Sequence, residues 1–318
     1  MDRDLQVRFT AGLLLLATTA AIVFASINVA KEYEIQSPTD GVRWLEENGR
    51  LVAHRVEANG PGDKAGIRQG DRLTAVGQHE IADAAGLERQ LYRIGPWSKA
   101  AYSLVRQSVP VDTTVILVPA DKSLNSWLRL IALIYLCIGI YVLLRRWTAP
   151  GSTHFYIFCL VSFVFYAFKY TGKLNAFDWT IYWGNVVAWL LQPALFLHFV
   201  LSFPQKREFL RKNSWIIGLI YLPGCLLLGL HIAAVEFARA SERVLWNLDR
   251  LQMGYLALFF AGAAAILWDS YRRAATPILR QQLKWVTRGT ILAITPFTLF
   301  YVIPYLFGAI PGSGMKVS

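Results

Sequence analysis

The sequence predicts a polytopic α-helical membrane protein of about seven spans, with a small α/β domain inserted between spans 1 and 2. Three observations carry that reading. Of the 318 residues, 55% are apolar or aromatic and 17% are charged, against roughly 25% charged in a soluble domain. The apolar residues fall in long uncharged runs, beginning with Phe9–Ala30. The net charge of +11 is unevenly placed: residues 31–122 hold 12 Lys/Arg and 13 Asp/Glu, so the whole surplus belongs to the apolar remainder. This composition excludes a disordered chain. Short basic segments between uncharged runs are a membrane pattern, so no nucleic-acid partner is expected. Cys137, Cys159 and Cys225 sit in apolar runs and read as small packing residues rather than a disulfide framework.

Residues 1–30 hold the first span. As a helix, Phe9–Ala30 rises about 33 Å, enough for a hydrocarbon core of roughly 30 Å. Val29–Ala30–Lys31–Glu32 is a poor cleavage site after an overlong apolar region, so an uncleaved anchor is expected. Residues 31–122 form the α/β domain. Val42–Glu47 and Leu51–Glu57 are strands joined across Asn48–Gly49, a two-residue hairpin signal. Arg72–Val76 is a strand. Ala82–Ile94 is a helix, with Leu87, Leu91 and Ile94 at i, i+4 and i+7. Ala101–Arg106 and Thr113–Val118 are strands rich in Val, Leu, Thr and Tyr.

Residues 123–318 hold six further spans, approximately 124–144, 152–171, 179–203, 214–235, 251–268 and 289–310. Pro193, Pro223, Pro296 and Pro304 lie inside them, tolerated where neighbours satisfy the freed backbone groups. Trp127, Trp179, Trp183, Trp215 and Trp285 lie near span ends, as an aromatic belt predicts. With the N-terminus inside, the inner segments hold 13 Lys/Arg and the short outer ones 6. That bias places residues 31–122 outside the cytoplasm. After seven spans the C-terminus also lies outside.

The most specific string runs Val56–Glu57–Ala58–Asn59–Gly60–Pro61–Gly62–Asp63–Lys64–Ala65–Gly66–Ile67, then Gly70–Asp71–Arg72–Leu73. It resembles the core of PDZ domains over nearly all of residues 38–120. PDZ domains bind an extended peptide as an added strand. The resemblance implies a carboxylate-binding loop at Gly41, Val42, Arg43 and Trp44, and a groove bounded by the helix that carries Leu87, Gln90 and Leu91. Arg43 and Trp44 are bulkier than the usual Gly-rich loop. The partner so implied is a peptide or protein C-terminus.

Catalytic patterns are missing from the sequence. His79–Glu80 has no second His at the spacing of a metalloprotease helix, and no other His pair has ligand spacing. Ser162 and Ser202 lack a Gly-rich setting. No phosphate-binding glycine loop occurs. No metal, cofactor or catalytic residue is expected.

Two membrane segments stand out. One is Leu197–His198–Phe199–Val200–Leu201–Ser202–Phe203–Pro204, in which His198 is an intramembrane ionisable group. The other is Arg280–Gln281–Gln282–Leu283–Lys284–Trp285–Val286. If Leu279–Arg288 is helical, Leu279, Leu283 and Val286 share one stripe and Arg280, Lys284 and Arg288 another. Such a helix is expected at anionic lipid headgroups, each cation worth about 1 kcal/mol. His198, Pro204, Arg280 and Lys284 are the candidate signal-coupling residues.

With the PDZ-like domain, these segments resemble bacterial multi-span sensor histidine kinases of the competence and quorum-sensing type. The resemblance implies a multi-pass protein of the bacterial cytoplasmic membrane and a possible homodimer. It also implies an input module acting on a downstream kinase or phosphatase domain. The phospho-accepting His helix and ATP-binding domain are not in this sequence, so the chain reads as an input portion one span short of the cytoplasm. The alternative is a membrane-anchored PDZ adaptor that binds protein C-termini without signalling.

Overall fold

The computed structural model describes residues 3–34, 36–47, 49–145, 151–171, 175–203, 210, 212–213, 215–237 and 242–307. Helix α1 (Arg3–Glu34) comes first. Its buried positions are Thr18, Ala21, Ala25, Asn28 and Glu32, which recur every three or four residues and so form one stripe. Leu15, Leu16, Ile22 and Val23 on its other sides stay exposed.

The α/β domain follows. Its strands are β1 (Pro38–Thr39), β2 (Val42–Glu47), β3 (Arg50–Val56), β4 (Arg72–Val76), β5 (His79–Glu80), β6 (Lys99–Arg106), β7 (Val109–Ile116) and β8 (Val118–Pro119). The main sheet runs β2-β3-β4-β6-β7, antiparallel throughout, with β5 beside β4. Gly49, at φ +71°, turns the β2–β3 hairpin, where glycine's freedom at positive φ is required. Helix α2 (Pro61–Lys64) is one turn, and α3 (Ala84–Ile94) packs Leu87 and Leu91 into a core with Leu51, Ala53, Ile67, Val76, Tyr102 and Leu104. β1 pairs with β8 through Pro38↔Pro119, which ties the two ends of the domain together.

Then come α4 (Ser123–Arg145), α5 (Ser152–Ala167), α6 (Ala176–Ser202), α7 (Trp215–Ile232), α8 (Glu242–Arg272), α9 (Pro277–Phe297) and α10 (Ile303–Leu306). π-helical turns Ala233–Phe237 and Thr298–Val302 extend α7 and α9. Among the described residues, six helices are long and apolar enough to cross a membrane. The helix expected over 152–171 is the short one, ending at Ala167. Beyond it the chain is held by Asn28 of α1, whose Oδ1 accepts from Lys169 N–H at 2.9 Å and whose Nδ2 donates to Lys169 O at 2.8 Å. The surface helix expected over 279–288 and the span expected after it are one helix. Thr276 caps α9 by accepting from Leu279 N–H at 3.3 Å, and Pro277 occupies its first turn. With no breaker until Pro296, the helix runs through.

Candidate functional site

The loop before β2 has left-handed backbone at Gly41, φ +67°, and a Cβ there would stand 2.9 Å from Pro61 Cδ. The turn after β3 closes over it. Glu57 N–H donates to Gly41 O at 2.9 Å and Gly62 N–H to Asp40 O at 2.7 Å. Gly62 is the tightest position, since a Cβ would meet Val42 Cγ2 at 2.3 Å. The glycines of the Gly60–Pro61–Gly62 string therefore let two backbone segments pack face to face.

The amides of this loop are already engaged. Gly41 N–H donates to Thr39 Oγ1 at 3.1 Å, and Val42 N–H to Asp40 Oδ1 at 3.0 Å. Asp40 Oδ2 accepts from Trp44 Nε1–H and from Tyr102 O–H, each at 2.8 Å. Asp40 is 2% exposed. Burial raises its pKa above the ordinary carboxylate value, and this outweighs the lowering by its donors. The loop thus holds a carboxylate, and that carboxylate belongs to the chain itself. Between β4 and β6 the Arg106 guanidinium grips Asp71 at 2.7 and 2.8 Å, and holds that carboxyl below its ordinary value although burial opposes it.

The residues assigned to a peptide groove divide accordingly. Trp44, Leu87 and Leu91 are core residues, and Trp44 stacks on Tyr102 at 6.3 Å between ring centres. Gln90 is buried and turns toward His79 Nδ1 at 3.3 Å and Val76 O at 3.5 Å. Trp44 departs most from its expected place. Its bulk serves the core because Asp40 and Tyr102 draw its indole inward. The backbone of Gly41–Val42 and the side chain of Arg43 remain at the surface. β2 pairs with β3 and ends the sheet, so its outer edge carries no strand among the described residues.

The hairpin that carries Arg43 lies beside the helical bundle. β2 packs against α8, and Arg43 is within electrostatic range of Asp249 on α8 and of Tyr301. Tyr305 O–H of α10 donates to Asp249 Oδ2. On β3, the His54 ring meets Trp246 of α8 edge-on at 6.4 Å, and the Arg250 guanidinium lies 4.4 Å over the same indole. A second contact runs from α3: Tyr92 O–H donates to Thr171 O at 3.0 Å and shares a 2.8 Å bond with Ser37 Oγ. Sequence reasoning missed Asp249, Trp246 and Tyr305. The available signal was Trp246–Asn247–Leu248–Asp249–Arg250, a charged and aromatic run just before an apolar span.

The candidate coupling residues are scattered. His198 Nδ1 is 3.0 Å from Tyr221 OH, and its ring meets His154 at 4.4 Å between centres. Pro204 lies outside the described residues. Arg280 lies 5.5 Å from the Tyr271 ring centre, and Lys284 is half-buried. The apolar stripe expected to lie in lipid faces the protein. Leu283 is 1% exposed against Val200, Ala263 and Leu267, with Leu279 and Val286 beside it. Continuity of α9 into the bundle sets that orientation and leaves Ile278 and Trp285 exposed instead.

Comparison with known proteins fits both parts. The PDZ domain description matches residues 39–117, and the N-terminal 7TM region of histidine kinase matches residues 128–315, more than half of the chain. A probable periplasmic serine endoprotease DegP-like of Brucella suis biovar 1 (strain 1330) is 37% identical over 79 residues, 24% of this chain and 15% of that protein. Its counterpart in Rhizobium meliloti (strain 1021) is 36% identical over 78 residues, with the same coverage. The chain thus spans 15% of the length of these curated relatives. Among solved structures, the HtrA-type protease AlgW with decapeptide is 21% identical and covers 27% of this chain and 30% of that one, at a TM-score of 0.25.

Proposed function

We propose, for a chain that belongs to the family of the N-terminal 7TM region of histidine kinases, the role of a membrane sensory input module. In this reading seven helices cross the bacterial cytoplasmic membrane, the buried α5 being the short one. Residues 1–30 and 123–318 are its membrane parts. The PDZ domain at 31–122 lies outside, the side named as periplasmic for its DegP-like relatives. The module carries out no chemistry of its own. It biases a downstream kinase or phosphatase domain, and a ligand does this only by binding two states of the bundle with different affinity.

One observation carries the reading. Arg43, in the loop at the mouth of the PDZ groove, lies within electrostatic range of Asp249, and Asp249 accepts from Tyr305 of α10. A shift of the loop would therefore change the field at Asp249.

The ligand in this proposal is an extended peptide added beside β2. Gly41 and Val42 have their amides occupied by Thr39 and Asp40, so recognition rests on strand pairing rather than on a terminal carboxylate. Free-acid and amidated forms of one peptide should bind the full chain within about twofold, read by fluorescence anisotropy. A charged hydrogen bond to the terminus is worth about 1.5–3 kcal/mol, so loss beyond about tenfold on amidation would show carboxylate capture instead. Topology is checked by reporter fusions. Those after Gly60 and Lys173 should read external and one after Arg211 cytoplasmic. A cytoplasmic signal at Gly60 reverses the arrangement.

A further inference from the structure

Where α1 ends and α4 begins, a cavity of about 220 Å³ opens, lined by Glu32, Tyr33, Lys122, Ser123, Ser126 and Arg129. Its charges are unequal. Glu32 is buried and fully used: its carboxylate accepts from Arg129 Nη2 and, at 2.6 Å, from Asn125 Nδ2. Lys122 Nζ donates to the Glu32 backbone carbonyl at 2.8 Å. Asp121 accepts from Ser123 N–H at 2.8 Å and Ser123 O–H at 2.9 Å. Lys169, half-buried, is a third cation within electrostatic range of Arg129. Of the residues that line the cavity, Lys122 and Arg129 are cations and Glu32 is a carboxylate, already bonded. Arg129 Nε is buried with no partner among the described residues. That atom is closed off from the cavity, so what an anion would meet there is the net positive charge of Lys122 and Arg129 against Glu32.

The cavity suits one kind of anion. Lys122, Arg129 and Ser126 line it with donors, and it lies beside the first turn of α4, the positive end of that helix's dipole. Oxygen-rich, tetrahedral phosphate uses such donors from several directions at once. The surroundings indicate what the phosphate is attached to. Four and seven residues beyond Ser126, on the same face of α4, come Leu130 and Leu133, 48% and 53% exposed. A group seated in the cavity therefore has an apolar stripe below it, with exposed Tyr33 and Trp127 at the same level, the residues that favour a membrane interface.

We propose that this cavity binds the phosphate of a phospholipid headgroup, with the acyl chains along Leu130 and Leu133. The inference rests on reading α1 and α4 as membrane spans. A lipid here would sit between the two segments that connect the PDZ domain to the bundle, and its binding would hold them together.

The test is native mass spectrometry of the full chain in detergent, with phosphatidylglycerol, with diacylglycerol of the same chains, and with glycerol 3-phosphate as a soluble competitor. Phosphatidylglycerol should bind, and diacylglycerol should bind more weakly. Lys122→Gln should weaken phosphatidylglycerol binding about fivefold, the weight of one cation near an anionic headgroup. Arg129→Gln strands Glu32 and risks the fold, so Ser126→Ala is the companion variant, since it leaves the Glu32–Arg129 pair intact. Unchanged binding in the Lys122→Gln/Ser126→Ala double variant overturns the proposal, as does equal retention of diacylglycerol. Displacement by equimolar glycerol 3-phosphate makes a soluble phosphate the ligand and overturns the lipid assignment. Peptide binding beside β2 should be unaffected in every variant, so failure here is distinct from failure of the sensory reading.

Discussion

Asp40→Ala destabilises the PDZ domain by about 3–5 kcal/mol, because it strands buried donors at about 1–3 kcal/mol each. Trp44 Nε1–H and Tyr102 O–H both lose their acceptor, and Val42 N–H loses its side-chain partner. Hydrogen exchange of β3 and β6 in the full chain reads the effect. Protection there should fall by about two to four orders of magnitude, and unchanged protection would sink the account. The pH dependence has a definite sign. Burial raises the Asp40 pKa, and a carboxyl whose folded pKa exceeds its unfolded one contributes stability that is fully present below the unfolded value. That contribution is lost as pH rises through the folded value. The penalty of Asp40→Ala is therefore largest at acid pH and shrinks as the pH rises across that window. The variant also frees the Val42 amide, so it should begin to distinguish free-acid from amidated peptides.

What the sequence revealed and what it hid follow from the range of the interactions. The Asn48–Gly49 hairpin, the strand Arg72–Val76 and the helix with Leu87 and Leu91 were legible because each is written in neighbouring residues. β1 and β8 were not, since two-residue strands exist only through the pairing Pro38↔Pro119. The shortening of α5 depends on Asn28, 141 positions from Lys169. The bulk of Trp44 was visible, but its direction was set by Asp40 and by Tyr102 far along the chain. The stripe Leu279, Leu283 and Val286 was read correctly as a stripe and assigned to the wrong neighbour. In a membrane protein both lipid and an adjacent helix accept leucine, so periodicity alone cannot choose between them. Arg43 was noticed for its size, whereas its role depends on Asp249, on a helix two hundred residues later.

Arg43→Glu should loosen the contact of the β2–β3 hairpin with the bundle. The substitution sets two carboxylates within electrostatic range of each other where Arg43 and Asp249 now are, and with Arg43 exposed to solvent the cost is about 1 kcal/mol or less, up to roughly fivefold in the docked population. Exchange of the α8 segment around Trp246 and Asp249, and of the β2–β3 hairpin with His54, should rise together in the full chain. Asp249→Asn separates the contributions: its amide oxygen still accepts from Tyr305, but the charge facing Arg43 is gone. It should therefore loosen the hairpin contact while leaving α10 protected. The charge swap Arg43→Glu with Asp249→Arg should recover much of the docking, so that the two single losses do not add. Additive losses would mean that the two residues act separately and that the PDZ loop has no electrostatic hold on the last helix. Recovery by the swap would make this pair the point at which a peptide beside β2 is felt in the membrane.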